Sequence, residues 1–171
     1  MIKLEKGRCV IAGIPFVKTG KTNGNYVFLA ESPIRNMAFG RTSNFAQSDV
    51  LLFLKEDILP EIEKTVGAEN IAEFETDLLS HDGIDTYGRM KSRISIPTFD
   101  FMRKHARSID KMKRKEGYEW TATPDTTAEH IKDVVWITVF SPAGGVYCFE
   151  GDCPCCGVRP LLHLKPTAFA V

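Results

Sequence analysis

Four of the five cysteines lie together in residues 148–156, and they are the residues of this chain best suited to chemistry. Cys153 and Cys156 form a C-x-x-C spacing, and zinc is commonly held by four thiolate or imidazole ligands in a tetrahedron. If strands over residues 146–149 and 158–164 are neighbours, Cys148 and His163 can join them. Cys148, Cys153, Cys156 and His163 are therefore the candidate zinc ligands.

The same cysteines allow other interpretations, because there is no second C-x-x-C and the adjacent Cys155 and Cys156 cannot readily bind one ion. The simplest is a turn of free thiols without any cofactor, and a thiol redox switch is another. A catalytic cysteine would need a base such as His105, His130 or His163. No catalytic motif is legible, so we expect a protein that is not an enzyme.

The start of the chain bears on the state of these thiols. Residues 1–8 carry four charged side chains, and the apolar stretch after them is broken by Gly13 and Pro15. This pattern is unlike a secretory signal peptide, so we expect a cytoplasmic protein whose cysteines form no disulfide. No apolar run reaches the roughly 18 residues of a membrane span, so we expect no membrane partner.

Charge is balanced overall but segregated along the chain. The 22 basic and 22 acidic residues cancel, yet residues 55–85 hold ten acids and two bases, and residues 89–119 hold ten bases and four acids. The basic segment 103–115 is a candidate partner-binding surface that could bind nucleic-acid phosphates. It could equally be a solvated helix face or the complement of the acidic region, which itself is either solvated or a nucleic-acid mimic. The candidate partner-binding residues are Arg103, Lys104, Arg107, Lys111, Lys113, Arg114 and Lys115.

Strand patterns bracket a helical middle in this sequence, which predicts an α+β fold with a mainly antiparallel sheet. We expect a strand over 8–17, its hairpin partner over 25–31, a helix capped by Ser48 and divided at Pro60, and a second helix over 71–79. A short strand is expected over 92–96, and Thr98 can cap a helix through 107. Further strands are expected over 119–123, 134–140, 146–149 and 158–164.

Five residues of the predicted C-terminal strands are expected in the interior. Trp120, Trp136, Val158 and Leu162 should be buried, as aromatic and β-branched residues of central strands are. Arg159 either pairs with a buried carboxylate or lines a ligand pocket, and we favour the structural role because a buried arginine needs a partner.

Several segments resemble one protein family in order along the chain. Residues 157–164, GVRPLLHL, resemble the closing "GVRPALWL" of the DUF6273 family, and residues 118–124, YEWTATP, resemble its "YWLRSP" strand. Residues 11–16, 47–54, 95–100 and 136–150 resemble its remaining segments. The resemblance implies one C-type-lectin-like or formylglycine-generating-enzyme-like domain over residues 1–171. It implies no activity.

These observations favour a non-enzymatic binding protein whose C-type-lectin-like scaffold presents loops to a macromolecular partner. The partner is expected to be a protein, with nucleic acid as an alternative through segment 103–115. One alternative function is a phage- or mobile-element-encoded inhibitor of a nucleic-acid-dependent host defence enzyme, such as a CRISPR effector. A further alternative is an enzyme that depends on Cys and His or on a metal.

Overall fold

Short strands supply more of the regular structure of the described chain than helices do. A computed structural model describes residues 2–109, 117–127 and 135–169. Its strands are β1 (Arg8–Ile11), β2 (Ile14–Thr22), β3 (Asn25–Ala30), β4 (Arg35–Asn36), β5 (Ile71–Ala72), β6 (Phe74–Asp77), β7 (Arg89–Ser92), β8 (Ile94–Ser95), β9 (Glu119–Pro124), β10 (Trp136–Phe140), β11 (Val146–Glu150), β12 (Gly157–Val158) and β13 (Leu161–Leu164).

The helices come from the middle of the chain, as expected. They are α1 (Asp49–Phe53), a π-helical turn (Leu54–Ile58), α2 (Leu59–Val66), α3 (Phe99–Lys104) and α4 (Ala106–Ile109), with 3₁₀ turns at Phe45–Gln47, Ala68–Asn70 and Pro166–Ala168. None of the helices in the described ranges is long and apolar enough to cross a membrane.

The strands form three sheets. The first has the order β1-β2-β3-β13-β5, with β8 also paired to β13, and the second has the order β11-β10-β9-β12-β4. β6 and β7 form a separate two-stranded sheet. All pairs of strands in the described ranges are antiparallel except β9 with β12. The predicted α+β class with a mainly antiparallel arrangement is confirmed.

The N-terminal hairpin forms as predicted, but the strand expected over 8–17 is two strands. Ala12 and Gly13 both have positive φ, at 51° and 76°, and turn β1 back onto β2. Asn23 and Gly24, at 49° and 81°, make the following turn into β3. Asn-Gly is a strong sequence signal for such a turn, whereas alanine rarely adopts positive φ, so the sequence does not reveal the first turn.

The helix starts are set by side-chain caps. The Ser48 hydroxyl accepts a hydrogen bond from the Leu51 N–H at 3.1 Å, and the Thr98 hydroxyl accepts one from the Phe101 N–H at 3.1 Å. The prediction that Pro60 divides its helix is confirmed, because the α-helical ladder widens into the π turn just before it. Proline lacks an N–H and its ring crowds the preceding turn, so a regular α-helix cannot continue through it.

The helix predicted over residues 71–79 is wrong, because this segment forms β5 and β6. In β6 and the residue after it, Thr76 and Leu78 are buried while Glu75 and Asp77 are exposed. This alternation has the period of a strand, and pairing with β7 decides the outcome. Of the two helices expected between Ser48 and residue 79, the structure therefore contains only the first, which ends at Val66.

The predicted core is confirmed at three of its four hydrophobic positions. Trp120, Val158 and Leu162 are buried, and the Trp120 indole N–H donates to the Met37 carbonyl at 2.8 Å. Trp136 is only half-buried, since it begins β10 opposite the exposed Glu150 near the edge of the second sheet.

Arg159 has the structural role that the sequence favours. Its side chain is 1% exposed and donates to the Glu119 carboxylate at 3.1 Å. It also donates to the carbonyls of Ala30 and Glu31 at 2.9 and 2.6 Å. Glu119 belongs to β9 in the second sheet and Ala30 to β3 in the first, so one guanidinium joins the two sheets.

We expect Arg159→Met to lower the free energy of unfolding by roughly 3–5 kcal/mol, because it leaves the buried Glu119 carboxylate without this partner. Urea unfolding at neutral pH measures the loss. The double variant Arg159→Met/Glu119→Leu removes both charges and should recover part of it. A double variant less stable than the sum of the two single losses would contradict this account of the pair.

Candidate functional site

The structure does not gather the four candidate zinc ligands. Cys148 is exposed on β11, whereas His163 lies on β13 in the other sheet. The strand predicted over 158–164 breaks at Arg159 and Pro160, so that β12 and β13 belong to different sheets. In the described ranges, no group of three His, Cys, Asp or Glu side chains is arranged to hold a metal ion.

Cys153 and Cys155 are joined in a disulfide, so the expectation of free thiols here is wrong. The two cysteines are two positions apart in the sequence, and the loop brings their sulfurs together. Cys153 is therefore not available as a thiolate for a zinc ion held by Cys153 and Cys156. Disulfides persist mainly in oxidising compartments. This disulfide therefore does not support the expected cytoplasmic location, which stays a prediction.

The sequence also predicts that Cys148, Cys153, Cys155 and Cys156 lie close together at one end of the sheet. This holds for the last three, since the Cys156 sulfur is 3.8 Å from that of Cys155, and no contact joins Cys148 to them among the described residues.

The three remaining thiols are poorly suited to nucleophilic attack. Burial raises the pKa of Cys9 to about 11 and that of Cys156 to about 12. The pKa of Cys148 is raised by partial burial and then by the nearby Asp125 carboxylate. The thiolate is the reactive form, so these side chains do not favour cysteine catalysis at neutral pH.

The basic candidate surface is described only at its beginning. Arg103 and Lys104 are exposed, and the Arg103 guanidinium pairs with the Asp100 carboxylate at 2.7 Å. The side chain of Arg107 and the whole of Lys111, Lys113, Arg114 and Lys115 lie outside the described residues. Nucleic-acid contact through this segment stays a prediction.

Some residues of the acidic region 55–85 form ion pairs with nearby basic residues within the fold. The acidic β6 pairs with the basic β7, which places Arg89 3.8 Å from the carboxylates of both Glu75 and Asp77. Arg93, which follows β7, forms an ion pair with Glu63 of α2. These ion pairs join the acidic region 55–85 to basic residues that precede the segment 103–115. That the segment 103–115 also complements the acidic region stays a prediction.

Three adjoining cavities with polar and aromatic side chains lie along β6, and we call them together the β6 groove. Its middle part, of about 330 Å³, lies between β6, α3 and β13. It shares Phe74, Glu75 and His163 with a part of about 520 Å³ beside the β2–β3 turn. It shares Asp77 and Asp100 with a third part of about 330 Å³ beside the loop 79–83.

The backbone of β6 has an open edge. All four residues of β6 line the middle part of the groove. The Leu78 N–H donates to the Gly88 carbonyl, which sets the alternation of the β6–β7 ladder. By this alternation Phe74 and Thr76 bond to β7, and the N–H and C=O groups of Glu75 and Asp77 point away from it. No described backbone group bonds to these four outward groups.

Three histidines line the groove, and each packs against a phenylalanine, two of them stacked and His105 tilted. His163 lies over Phe74 with ring centroids 4.0 Å apart, and His105 lies 4.3 Å from Phe101. His81 stacks on Phe99 at 5.2 Å in the third part. All three described histidines are thus on the walls of one groove, where an aromatic face and a hydrogen-bonding edge are presented together.

Two of these imidazoles are neutral at physiological pH. Burial lowers the pKa of His163 to about 4. Burial also lowers the pKa of His105, against the opposing effect of a hydrogen bond to the Thr19 backbone. A neutral imidazole has one donor and one acceptor. The His105 donor is used by the Thr19 backbone, so His105 has an acceptor for an uncharged polar group such as a peptide amide.

The sequence points to His163 and His105 but not to the groove. It offers His163 as a zinc ligand and His105 as a catalytic base. It does not reveal the groove, because residues 71–79, which include β6, are expected to form a helix. The available signal is the alternation of Glu75 and Asp77 with Thr76 and Leu78, whose two-residue period indicates a strand with one acidic face.

Comparisons with models of protein families, with curated proteins and with solved structures found no match to this chain. The resemblance to the DUF6273 family therefore stays a prediction.

We expect the pH dependence of stability to report the buried His163. The unfolded chain binds a proton near the ordinary pKa of about 6.5 and the folded chain only near 4, so stability is lost as pH falls through this window. Between neutral pH and about pH 5 the loss from this group should be on the order of 1–2 kcal/mol.

Urea unfolding of wild type and His163→Phe at both pH values measures this contribution. The phenylalanine keeps a ring over Phe74 but cannot titrate, so it should flatten the dependence. His81→Phe, the same change at an exposed groove position, serves as the control. An equal loss of stability in wild type and His163→Phe would show that another group is responsible.

Proposed function

We propose that this protein is a non-enzymatic binding protein that holds an extended segment of a protein partner in the β6 groove. The observation that carries the proposal is the open edge of β6 lying along the groove. An extended peptide can add a strand to such an edge, with main-chain hydrogen bonds supplying affinity and side-chain pockets supplying specificity.

The backbone of β6 fits this mode of binding. The outward groups of Glu75 and Asp77 are two residues apart, a spacing of about 7 Å in a strand. An added strand has matching groups at the same interval, so it can form up to four hydrogen bonds with the two residues. The opposite edge of β6 is fixed by β7, so the strand is already extended before a ligand arrives.

The far wall of the groove is also held in place. α3 is fixed to the second sheet because the Phe99 N–H donates to the Thr123 hydroxyl of β9 at 2.9 Å. The loop at the third part is closed by the Ser80 hydroxyl, which accepts from the Ile84 N–H at 2.9 Å and donates to the Ile84 carbonyl at the same distance. A preformed groove loses less conformational entropy on binding.

Side chains indicate the composition of the segment. Glu75 and Asp77 project on one face of β6, and Arg89 and Lys91 of β7 already lie opposite them at 3.8–4.0 Å. A strand on the other edge with Lys or Arg at alternate positions would repeat this cross-strand pairing. Apolar or aromatic side chains between them would meet Phe74, Phe101 and Leu161.

The chemistry of the described groups favours binding over covalent catalysis. Burial raises the pKa of the Cys9 and Cys156 thiols and lowers the pKa of His105 and His163, whose rings pack against phenylalanines. Such groups supply hydrogen bonds and flat apolar faces to a ligand.

The C-type-lectin-like scaffold belongs to the same proposal. It is supported by the order of the six resembling segments and by the pairing of β3 with β13, which places the N-terminal hairpin and the closing strand in one sheet. The loops that flank the β6 groove would then be the loops that the scaffold presents to its partner.

Selection from a displayed library of random linear peptides tests the proposal. Binders of the wild-type protein should carry basic residues at alternate positions, with apolar residues between them. Their affinity, measured by calorimetry, should fall by more than about tenfold in Glu75→Pro, because proline removes an outward N–H without removing a bond to β7.

Glu75→Ala is the matched control, since it removes the same carboxylate and keeps the N–H. It should weaken the selected peptides only a few-fold, the size of one cross-strand charge pair. Thermal unfolding verifies that both variants keep their fold. A selection that yields no binder, or binders equally tight to Glu75→Pro and wild type, would refute the proposal.

A further inference from the structure

The outer edge of β11 is a second open strand edge. β11 ends the second sheet, and no described strand pairs with its outer side. Val146, Tyr147 and Cys148 are exposed, with Tyr147 53% exposed, although the segment VYCFE is apolar and β-prone. Natural edges of this kind are usually protected by lysine, proline or a bulge, and β11 has none of these.

Backbone alternation determines which residues face outward. The Ser141 N–H donates to the Gly145 carbonyl and the Gly151 N–H to the Val135 carbonyl, at the two ends of the β10–β11 ladder. Tyr147 and Phe149 therefore bond to β10, and the N–H and C=O groups of Val146, Cys148 and Glu150 point away from it.

We propose that two copies of this chain associate through antiparallel pairing of their β11 strands about a two-fold axis centred on Cys148. The three outward residues are spaced symmetrically around Cys148, so the edge is complementary to itself. The Cys148 N–H and C=O bond to the same groups of the second Cys148, and the Glu150 N–H bonds to the Val146 carbonyl of the second copy. The Glu150 carbonyl already accepts from the Cys153 N–H at 3.1 Å, which leaves four intermolecular bonds in all.

Side chains on both faces agree with this register. On one face Tyr147 lies opposite Phe149 of the second copy, at the closely spaced type of pair where aromatic rings interact well. Both rings are already placed by Tyr118, 5.6 Å from Tyr147 and 4.6 Å from Phe149. On the other face Glu150 lies opposite the uncharged Val146, so no like charges meet.

A second copy fits the edge because its register aligns the outward N–H groups of Cys148 and Glu150 with carbonyls that are open to them, and no charged side chain of one β11 faces another of the same sign. The chain is also neutral overall, so two copies do not repel each other strongly. The ladder is short compared with the roughly 1,600 Å² of a standard stable interface, so the dimer is weak and reversible.

A pair of charge substitutions at Val146 tests the register. In the proposed dimer, Val146→Lys places a lysine opposite Glu150 of the second copy, and Val146→Glu places a carboxylate there, each twice by symmetry. The dimer dissociation constant, measured by analytical ultracentrifugation, should become about fivefold smaller with lysine and about fivefold larger with glutamate. Circular dichroism verifies the fold of both variants.

Cross-linking is an independent test of whether the two Cys148 residues face each other in the dimer. Cys148 is the one exposed free thiol in the described ranges, because Cys9 and Cys156 are buried and Cys153 and Cys155 are bridged to each other. A mild oxidant such as copper–phenanthroline should therefore link two wild-type chains through Cys148, with loss of two protons and two electrons to the oxidant. Cys148→Ser should remain a reversible dimer and give no linked product.

Three results would overturn the proposal. One is a protein that stays monomeric up to about 1 mM, the weakest affinity that the ladder could reasonably give. Another is a dimer whose dissociation constant moves in the same direction for lysine and glutamate at Val146. The third is a dimer that the oxidant does not link through Cys148.

Discussion

The ion pair between Arg159 and Glu119 is the contact on which the arrangement of the sheets depends. The chain passes from the second sheet to the first between Val158 and Leu161, and Arg159 is placed at the crossing. Burying a guanidinium is costly unless its donors are occupied, and here they meet the Glu119 carboxylate and the carbonyls of Ala30 and Glu31. The cost of an unpaired charge therefore disfavours any packing that separates the sheets.

The same crossing explains why the cysteine chemistry expected from the sequence does not form. Neighbouring sequence positions end up on different sheets, so Cys148 and His163 are separated while His163 is carried to Phe74. The candidate site that we propose in its place is a strand edge, where hydrogen-bonding groups of the backbone are open beside aromatic rings.

Much of the fold could be predicted from local signals, and the candidate site could not. The caps at Ser48 and Thr98, the Asn23-Gly24 turn and the break at Pro60 each follow from the chemistry of one or two residues. The helix expected over 71–79 is wrong because two periods compete there, the three- and four-residue spacing of apolar side chains and the two-residue alternation over 75–78. Pairing with β7, on the far side of the loop 78–88, decides between them, and the local sequence does not show this partner. The groove depends on that strand, so local signals do not reveal it either.

The position of β13 has a consequence for how the chain acquires its structure. β13 comes late in the sequence but lies inside the first sheet, between β3 and β5, and it also carries β8. During synthesis the edge of β3 that pairs with β13 therefore stays uncovered until almost the whole of the described chain has emerged. Such distant pairing slows folding and leaves an unpaired edge exposed in the meantime, so the growing chain passes through a period of vulnerability to aggregation.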